Sequence, residues 1–181
     1  MARIAIIDRA DMNAEQARVY DAAKDSGGPV GGPYYAYIRL PKLFEALHTL
    51  RGSMASGPLS RREQQIVNLT VARHWGARYP WFAQVRASLA VGIEQAAIDA
   101  INARQTPNLP DARERTCFVV ARELLANKDV SDDTYAAAER TMGLESLVAL
   151  VAMTGTFSMT CMTANTFGIE PPTANPTPLA Q

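Results

Sequence analysis

Cysteine is scarce in this chain, whose 181 residues include only two, Cys117 and Cys161. The two lie too far apart in sequence for the short spacing of a redox pair or of metal ligands, so the sequence predicts no metal site. Two free thiols are typical of proteins in a reducing compartment, which predicts a cytoplasmic location. We expect both thiols to be packed inside the protein and chemically inert.

An excess of charge of either sign is also lacking, since Lys and Arg total 18 and Asp and Glu total 18. A neutral chain lacks the basic footprint that is typical of nucleic-acid-binding proteins. It has no polybasic run that would bind an anionic membrane surface. The short apolar stretch near the amino terminus is interrupted by Asp8 and does not resemble a signal peptide. We therefore expect neither nucleic acid nor a membrane as a partner.

One long segment, from Ser146 to Ile169, lacks charge altogether. Its length would suffice to cross a bilayer. Several polar side chains along it, Thr154 and Asn165 among them, would be costly in lipid, so we expect a helix buried inside protein. A monomer of this size would struggle to cover every face of so apolar a helix. The segment therefore predicts a homo-oligomer that buries part of it.

Strand patterns are scarce as well, whereas helical periodicity recurs along the chain. The sequence predicts an all-α fold, a bundle of about eight helices. A chain of 181 residues suits one domain, which we place at residues 1–170. The proline-rich tail, residues 171–181, cannot be helical.

Two consecutive helices are predicted to form the centre of the bundle. Ser60 and Glu63 form a capping box, in which each side chain binds a backbone N–H of the other residue. The helix that follows runs to about Trp75 and is apolar around most of its circumference, so we expect it to be buried. A second helix begins near Pro80. Its inner stripe at helical spacing comprises Trp81, Val85, Ser88 and Leu89.

The segment from Gln65 to Gln84, which reads QIVNLTVARHWGARYPWFAQ, resembles the core motif of the carboxymuconolactone decarboxylase and alkylhydroperoxidase D family. Shorter likenesses extend the resemblance over most of the chain; they include the PYY and LPKL motifs near residues 33–43 and the spacing of Gly155 and Met159. The resemblance implies an all-helical bundle that assembles as a trimer or hexamer.

The family's peroxidases carry a glutamate, a Cys-x-x-Cys pair and a histidine across these two helices. Without gaps, these positions fall on Gln65, Ala77, Pro80 and Gln84. No thiol is left there to form a sulfenate or a disulfide, and glutamine does not titrate near neutral pH. The resemblance therefore implies a pocket that keeps hydrogen-bonding groups but has lost the pair of titratable side chains that general acid–base catalysis requires.

His74 is the remaining candidate for a catalytic base, because an imidazole titrates near neutral pH. It would act beside the inherited pocket, with Gln65 and Gln84 as hydrogen-bonding groups. The alternative is a histidine whose charge suits the carboxyl end of a helix. Glu63 lies about 200° around the helix from Gln65, and its role in the capping box explains it fully.

Candidate substrate-binding residues flank the motif. Arg73 or Arg86 could hold an acidic ligand through paired hydrogen bonds, although a solvated helix face would explain both. Tyr79 and Trp81 could line an apolar pocket or belong to the core. Asn68 lies one turn after Gln65 on a buried helix, so it needs a hydrogen-bonding partner, either that glutamine or a ligand.

Three functions remain open at this point, and none of them calls for a cofactor. The first is a cofactor-free lyase, decarboxylase or isomerase for a small carboxylated or lactone-type substrate, since preorganised dipoles can assist a reaction without a titrating pair. The second is a non-catalytic binding or scaffold protein, because every familiar catalytic residue is replaced. The third, a thiol peroxidase, is disfavoured by the missing cysteine pair.

Overall fold

The computed structural model describes residues 3–172 and 175–180, and within these ranges it contains nine α-helices and no strand. This confirms the all-α prediction. The helix that the sequence did not predict is a single turn, α2. The helices are α1 (Ala14–Asp25), α2 (Tyr34–Tyr37), α3 (Pro41–Ala55), α4 (Arg61–His74), α5 (Arg78–Ala90), α6 (Gln95–Asn102), α7 (Ala112–Asn127), α8 (Asp132–Met142) and α9 (Leu144–Thr166).

Helix α4 lies at the centre of the bundle, where it packs against α5, α7 and α9. It begins at the predicted capping box. The Glu63 N–H donates to the Ser60 hydroxyl over 3.2 Å, and the Ser60 N–H donates to the Glu63 carboxylate over 2.7 Å. Burial of a large apolar side chain contributes about 1.5–3 kcal/mol, which holds α4 and its polar side chains in place. The fully buried residues of α4 include Ile66, Val67, Leu69 and Val71.

A tight turn joins α4 to α5 at Gly76, whose φ of 58° lies in the left-handed region that glycine adopts without steric cost. Trp81 on α5 is fully buried, as the inner stripe predicted. The prediction that the apolar side chains of these two helices are buried is wrong for two of them, because Trp75 is 36% exposed and Leu89 is 44% exposed. Trp75 occupies the cap position after α4, and Leu89 lies about 100° around α5 from the buried Ser88.

Helix α9 is long and apolar enough by length and composition to cross a membrane. Core helices of globular proteins pass the same test. It packs against α4, α5, α7 and α8, and Leu150 and Cys161 on it are fully buried. Only 39% of its most apolar window is buried, so the expectation of a helix buried inside protein holds for one face alone. Its other face carries four large exposed side chains, Leu144, Val148, Val151 and Met162.

Residues 175–180 of the proline-rich tail lie against α5 and α6. The Trp81 indole N–H donates to the Thr177 carbonyl oxygen over 3.0 Å. The Asn102 side chain donates to the Pro178 carbonyl oxygen over 2.9 Å and accepts from the Ala180 N–H over 2.8 Å. The division into a domain at residues 1–170 and a tail at 171–181 stays a prediction, and positions 173, 174 and 181 lie outside the described residues.

Candidate functional site

Four polar side chains meet between α4 and α5, and two of them, Gln65 and Gln84, occupy positions that the resemblance singled out. Asn68 Nδ2 donates to Gln84 Oε1 over 3.3 Å. The Ser88 hydroxyl donates to Gln65 Oε1 over a long 3.5 Å. We call these four residues, Gln65, Asn68, Gln84 and Ser88, the glutamine cluster. The helical repeat brings them together, because Gln65 and Asn68 are one turn apart on α4 and Gln84 and Ser88 are one turn apart on α5.

The glutamine cluster is polar but carries no titratable side chain. Gln65, Asn68 and Gln84 are half-buried, so part of each side chain remains accessible. The bond between Asn68 and Gln84 uses one N–H of the former and the carbonyl oxygen of the latter, which leaves amide N–H groups on both residues. Asn68 Oδ1 is buried and has no hydrogen-bond partner within the described ranges. Buried polar atoms are ordinarily paired, so this oxygen offers a position for a ligand or a water.

Thiol chemistry has no support at this place or elsewhere in the fold. Ala77 and Pro80, which occupy the two cysteine positions of the peroxidases, are both buried. Cys117 and Cys161 are fully buried on α7 and α9. Burial raises the pKa of the Cys117 thiol to about 12 and also raises the pKa of Cys161. The reactive thiolate is therefore disfavoured at both positions.

Glu63 is directed away from Gln84 and cannot replace the missing carboxylate. One of its oxygens accepts from the Ser60 N–H, and the other lies 2.6 Å from Arg113 Nε on α7. Only 3% of the Glu63 surface is exposed, so its carboxylate interacts with these two partners rather than with solvent. Its interpretation as a capping residue agrees with this geometry.

His74 and Arg73 lie on another side of α4, in a cavity of about 190 Å³ that is also lined by Arg104 and Arg122. We call this the arginine cavity. Partial desolvation, together with the positive charge of Arg104, lowers the pKa of His74, although much of the side chain is exposed. The structure thus places His74 and Arg73 together but apart from the glutamine cluster. A catalytic role for His74 stays a prediction. Its location in the arginine cavity disfavours joint action with Gln65 and Gln84.

Arg104 and Arg122 are cavity residues that sequence reasoning missed. They come from the segment after α6 and from α7, which are distant in sequence from the α4 motif. One local signal was present: arginine stands at position 104, directly after the cap residue Ala103 of α6, where glycine is the usual residue.

The other predicted binding residues occupy three different surroundings. Trp81 is fully buried in the core, which favours the core alternative. Tyr79 is half-buried, and this burial raises the pKa of its hydroxyl. Its ring packs so closely against Gly32 that a Cβ atom on residue 32 would lie only 2.1 Å from the ring. Arg86 is exposed, with its guanidinium 5.7 Å from the centre of the Phe82 ring.

Metal-binding capacity is low in the described part of the chain, which contains no group of three or more His, Cys, Asp or Glu side chains that could hold an ion. The glutamine cluster offers only amides and a hydroxyl, and the arginine cavity offers cations.

The chain matches no protein-family model, and no curated protein matches it significantly in sequence. Solved structures do share its fold. A peroxidase-related protein from Ralstonia eutropha, described as an alkylhydroperoxidase AhpD core, has a TM-score of 0.76 and 17% identity over 95% of this chain and 93% of that chain. A peroxidase-related protein from Silicibacter sp. has a TM-score of 0.76 and 18% identity over 96% of this chain and 94% of its own.

A debrominase is also similar to this chain in structure. Bmp8, solved in complex with 2,3,4-tribromopyrrole, has a TM-score of 0.75 and 12% identity over 97% of this chain and 96% of that chain. At these identities the matches establish the arrangement of helices and leave the activity open. They confirm the fold that the motif from Gln65 to Gln84 implied. The chain therefore adopts the alkylhydroperoxidase D-like fold over nearly its whole length.

Proposed function

We propose that this protein is a cofactor-free lyase that decarboxylates a small carboxylated or lactone-type substrate at the glutamine cluster. The observation that carries the proposal is the hydrogen bond of 3.3 Å between Asn68 and Gln84, at the place where the resembling peroxidases relay protons. The partial exposure of Gln65, Asn68 and Gln84 supports access for a substrate.

The uncharged character of the cluster discriminates among the reactions that the resemblance leaves open. An isomerase or a proton-abstracting lyase needs a base whose pKa lies near the working pH, and amides and hydroxyls do not supply one. Loss of carbon dioxide needs no base to begin when the carboxylate is on the carbon next to a carbonyl group, or on the γ-carbon of an α,β-unsaturated carbonyl. It needs hydrogen-bond donors for the enolate that develops. Decarboxylation is therefore the reaction that fits this cluster best.

In the proposed step, the bond between the carboxylate carbon and the substrate skeleton breaks, and its electron pair delocalises onto the oxygen of the carbonyl group that is conjugated with the carbon left behind. Carbon dioxide leaves. The amide N–H groups of Gln84 and Asn68 donate to the resulting enolate oxygen. A proton from water then adds to the carbon that carried the carboxylate, so that the step needs neither an oxidant nor a reductant.

The test is the release of carbon dioxide by the wild type and by Gln84→Leu from muconolactone-type acids that carry a carboxylate on the γ-carbon of the unsaturated lactone. Leucine keeps the approximate size of the side chain and removes both the carbonyl oxygen and the NH₂ group of the amide. Loss of one such donor lowers kcat by about 10²–10³-fold in enzymes that stabilise an oxyanion, and we expect a fall of this order. The same substitution at the exposed Gln95 of α6 is the control and should leave kcat unchanged.

Two outcomes would contradict the proposal. Unchanged turnover in Gln84→Leu would remove the glutamine cluster from the reaction. If turnover were lost in His74→Ala but not in Gln84→Leu, the chemistry would belong to the arginine cavity instead.

A non-catalytic binding or scaffold role is the second candidate, and a specific observation favours it. All four family positions are substituted, by Gln65, Ala77, Pro80 and Gln84, so the cluster has no group that could transfer a proton. A ligand that raises the unfolding temperature without being consumed would support this role over decarboxylation.

We propose further that the protein is a homo-oligomer and that the exposed face of α9 forms its interface. Leu144, Val148, Val151 and Met162 are 55%, 60%, 45% and 42% exposed. At about 100° per residue their side chains fall within about 60° of one another around the helix. Exposed apolar side chains aligned on one helix face are typical of a protein–protein interface. Another copy of this chain can bury it face to face.

A further inference from the structure

The arginine cavity is a concave site that is separate from the glutamine cluster. Its volume is about 190 Å³, and an apolar cavity of roughly 150 Å³ is large enough to bind benzene. Thr70 and Arg73 line it from α4. They lie about 200° and 140° around that helix from Asn68. A ligand in this cavity would therefore be on the far side of α4 from the proposed reaction centre.

Positive charge is concentrated in this cavity without a matching negative charge. Its lining contains Arg73, Arg104 and Arg122 and no Asp or Glu. Among the ion pairs formed by the residues that the structure describes, none involves these three arginines. The chain as a whole is neutral, with 18 basic and 18 acidic residues, so this concentration does not follow from composition.

Arg73 is the most buried of the three cations, with only 8% of its surface exposed. Its Nε donates to the Asn102 carbonyl oxygen over 2.6 Å, which orients the guanidinium but does not neutralise it. Burial and the neighbouring charge of Arg104 both lower the pKa of Arg73. A buried charge without a counter-charge is unfavourable, so an anion in the cavity would gain a strong attraction.

Arg104 adds an independent observation from the backbone. Its φ of 61° lies in the left-handed region, where a side chain is disfavoured and glycine is usual. An arginine at this position keeps a cation at the cavity although glycine would suit the backbone better.

The remaining walls of the cavity are apolar. Ile101, Phe118 and Leu125 line it, and the Arg122 guanidinium lies 5.1 Å from the centre of the Phe118 ring. A guanidinium above an aromatic ring is held in place by the cation–π interaction. The site therefore combines a cationic end with walls that suit a hydrocarbon or aromatic body.

We propose that the arginine cavity binds a small carboxylic acid with an apolar body, such as an aromatic acid. The carboxylate lies among Arg73, Arg104 and Arg122, and the body packs against Ile101 and Phe118. Arginine suits this task because its planar guanidinium can donate two parallel hydrogen bonds to a carboxylate. This site is independent of the decarboxylation proposed at the glutamine cluster.

The test compares 2-naphthoate with its neutral counterpart 2-naphthamide by isothermal titration calorimetry. The decisive variant is Arg104→Gly, which removes one cation and relieves the left-handed backbone. Lys128→Gly is its matched control, because Lys128 also has a left-handed φ, 67°, and a positive charge, at the end of α7. Lys128 does not line the cavity.

We expect wild type and Lys128→Gly to bind 2-naphthoate alike, Arg104→Gly to bind it at least about tenfold more weakly, and the naphthamide to bind poorly to all three. Both variants should unfold at or above the wild-type temperature, which separates loss of the site from loss of the fold. Equal binding of the amide would show an apolar cavity only. That result, no binding by the wild type, or equal losses in both variants would each overturn the proposal.

Discussion

Replacement of Glu63 by alanine tests whether this carboxylate is structural, as its contacts indicate. The substitution has two separate costs. The Ser60 N–H loses its acceptor at the start of α4, and loss of a helix cap costs about 1 kcal/mol. Arg113 also loses the carboxylate oxygen that lies 2.6 Å from its Nε. Removal of one partner of a buried ion pair costs about 3–5 kcal/mol.

The second cost is reduced here because the Arg113 side chain is 35% exposed, against 4% for Glu63, so water can solvate part of the guanidinium. We therefore expect a total loss of about 3 kcal/mol in the free energy of unfolding. For a chain of 150–250 residues this lowers the Tm by about 6–12 °C. Urea denaturation followed by circular dichroism should show a lower midpoint with an unchanged slope.

A double-mutant cycle with Arg113→Met isolates the interaction between the two side chains. We expect the double variant to lose less stability than the two single variants together, by about 1 kcal/mol or more. Glu45→Ala is the control, because Glu45 forms an exposed pair with Arg18 over 2.9 Å, and exposed pairs contribute little. A loss in Glu63→Ala no larger than in this control, or no coupling to Arg113, would refute the structural assignment.

Three further predictions follow from the same geometry. Replacement of Arg104 by glycine should raise the pKa of His74 measured by NMR, because the positive charge of Arg104 helps to lower that pKa. The pKa of His74 in the folded protein lies below the ordinary 6.5, so protonation of His74 favours the unfolded state. The free energy of unfolding should therefore decrease as the pH falls below 6.5 and through the folded-state pKa of His74. In the native protein Cys117 and Cys161, both fully buried, should not react with a thiol reagent, and both should react after unfolding. Val148→Glu on the exposed face of α9 should lower the mass measured by sedimentation equilibrium to that of a monomer; an unchanged mass would exclude this face as the interface.

Short-range patterns made much of the fold predictable. The capping box at Ser60 and Glu63 marked the start of α4 correctly because a cap is built from residues three positions apart. The helical class and the central position of α4 followed from apolar periodicity. Errors arose at the edges of such patterns: Trp75 and Leu89 are apolar, but the end of one helix and the border of another leave them exposed.

The glutamine cluster was also accessible to sequence reasoning, because Gln65 and Gln84 lie on two consecutive helices joined by a tight turn. The pairing of Asn68 with Gln84 rather than Gln65 was decided by the way α4 and α5 pack. The cytoplasmic location and the subunit number stay predictions.

The sequence by itself determined the eight longer helices, the capping box of α4 and the absence of titratable groups at Gln65, Ala77, Pro80 and Gln84, since each of these depends on residues that are near one another in the chain. Only the tertiary structure decided that Arg73, Arg104 and Arg122 share one cavity. These side chains come from α4, the end of α6 and α7, and no periodicity links them. Their proximity depends on which faces of the helices pack together. Burial of apolar surface selects those faces, and the position of the charged side chains beside them follows from that packing.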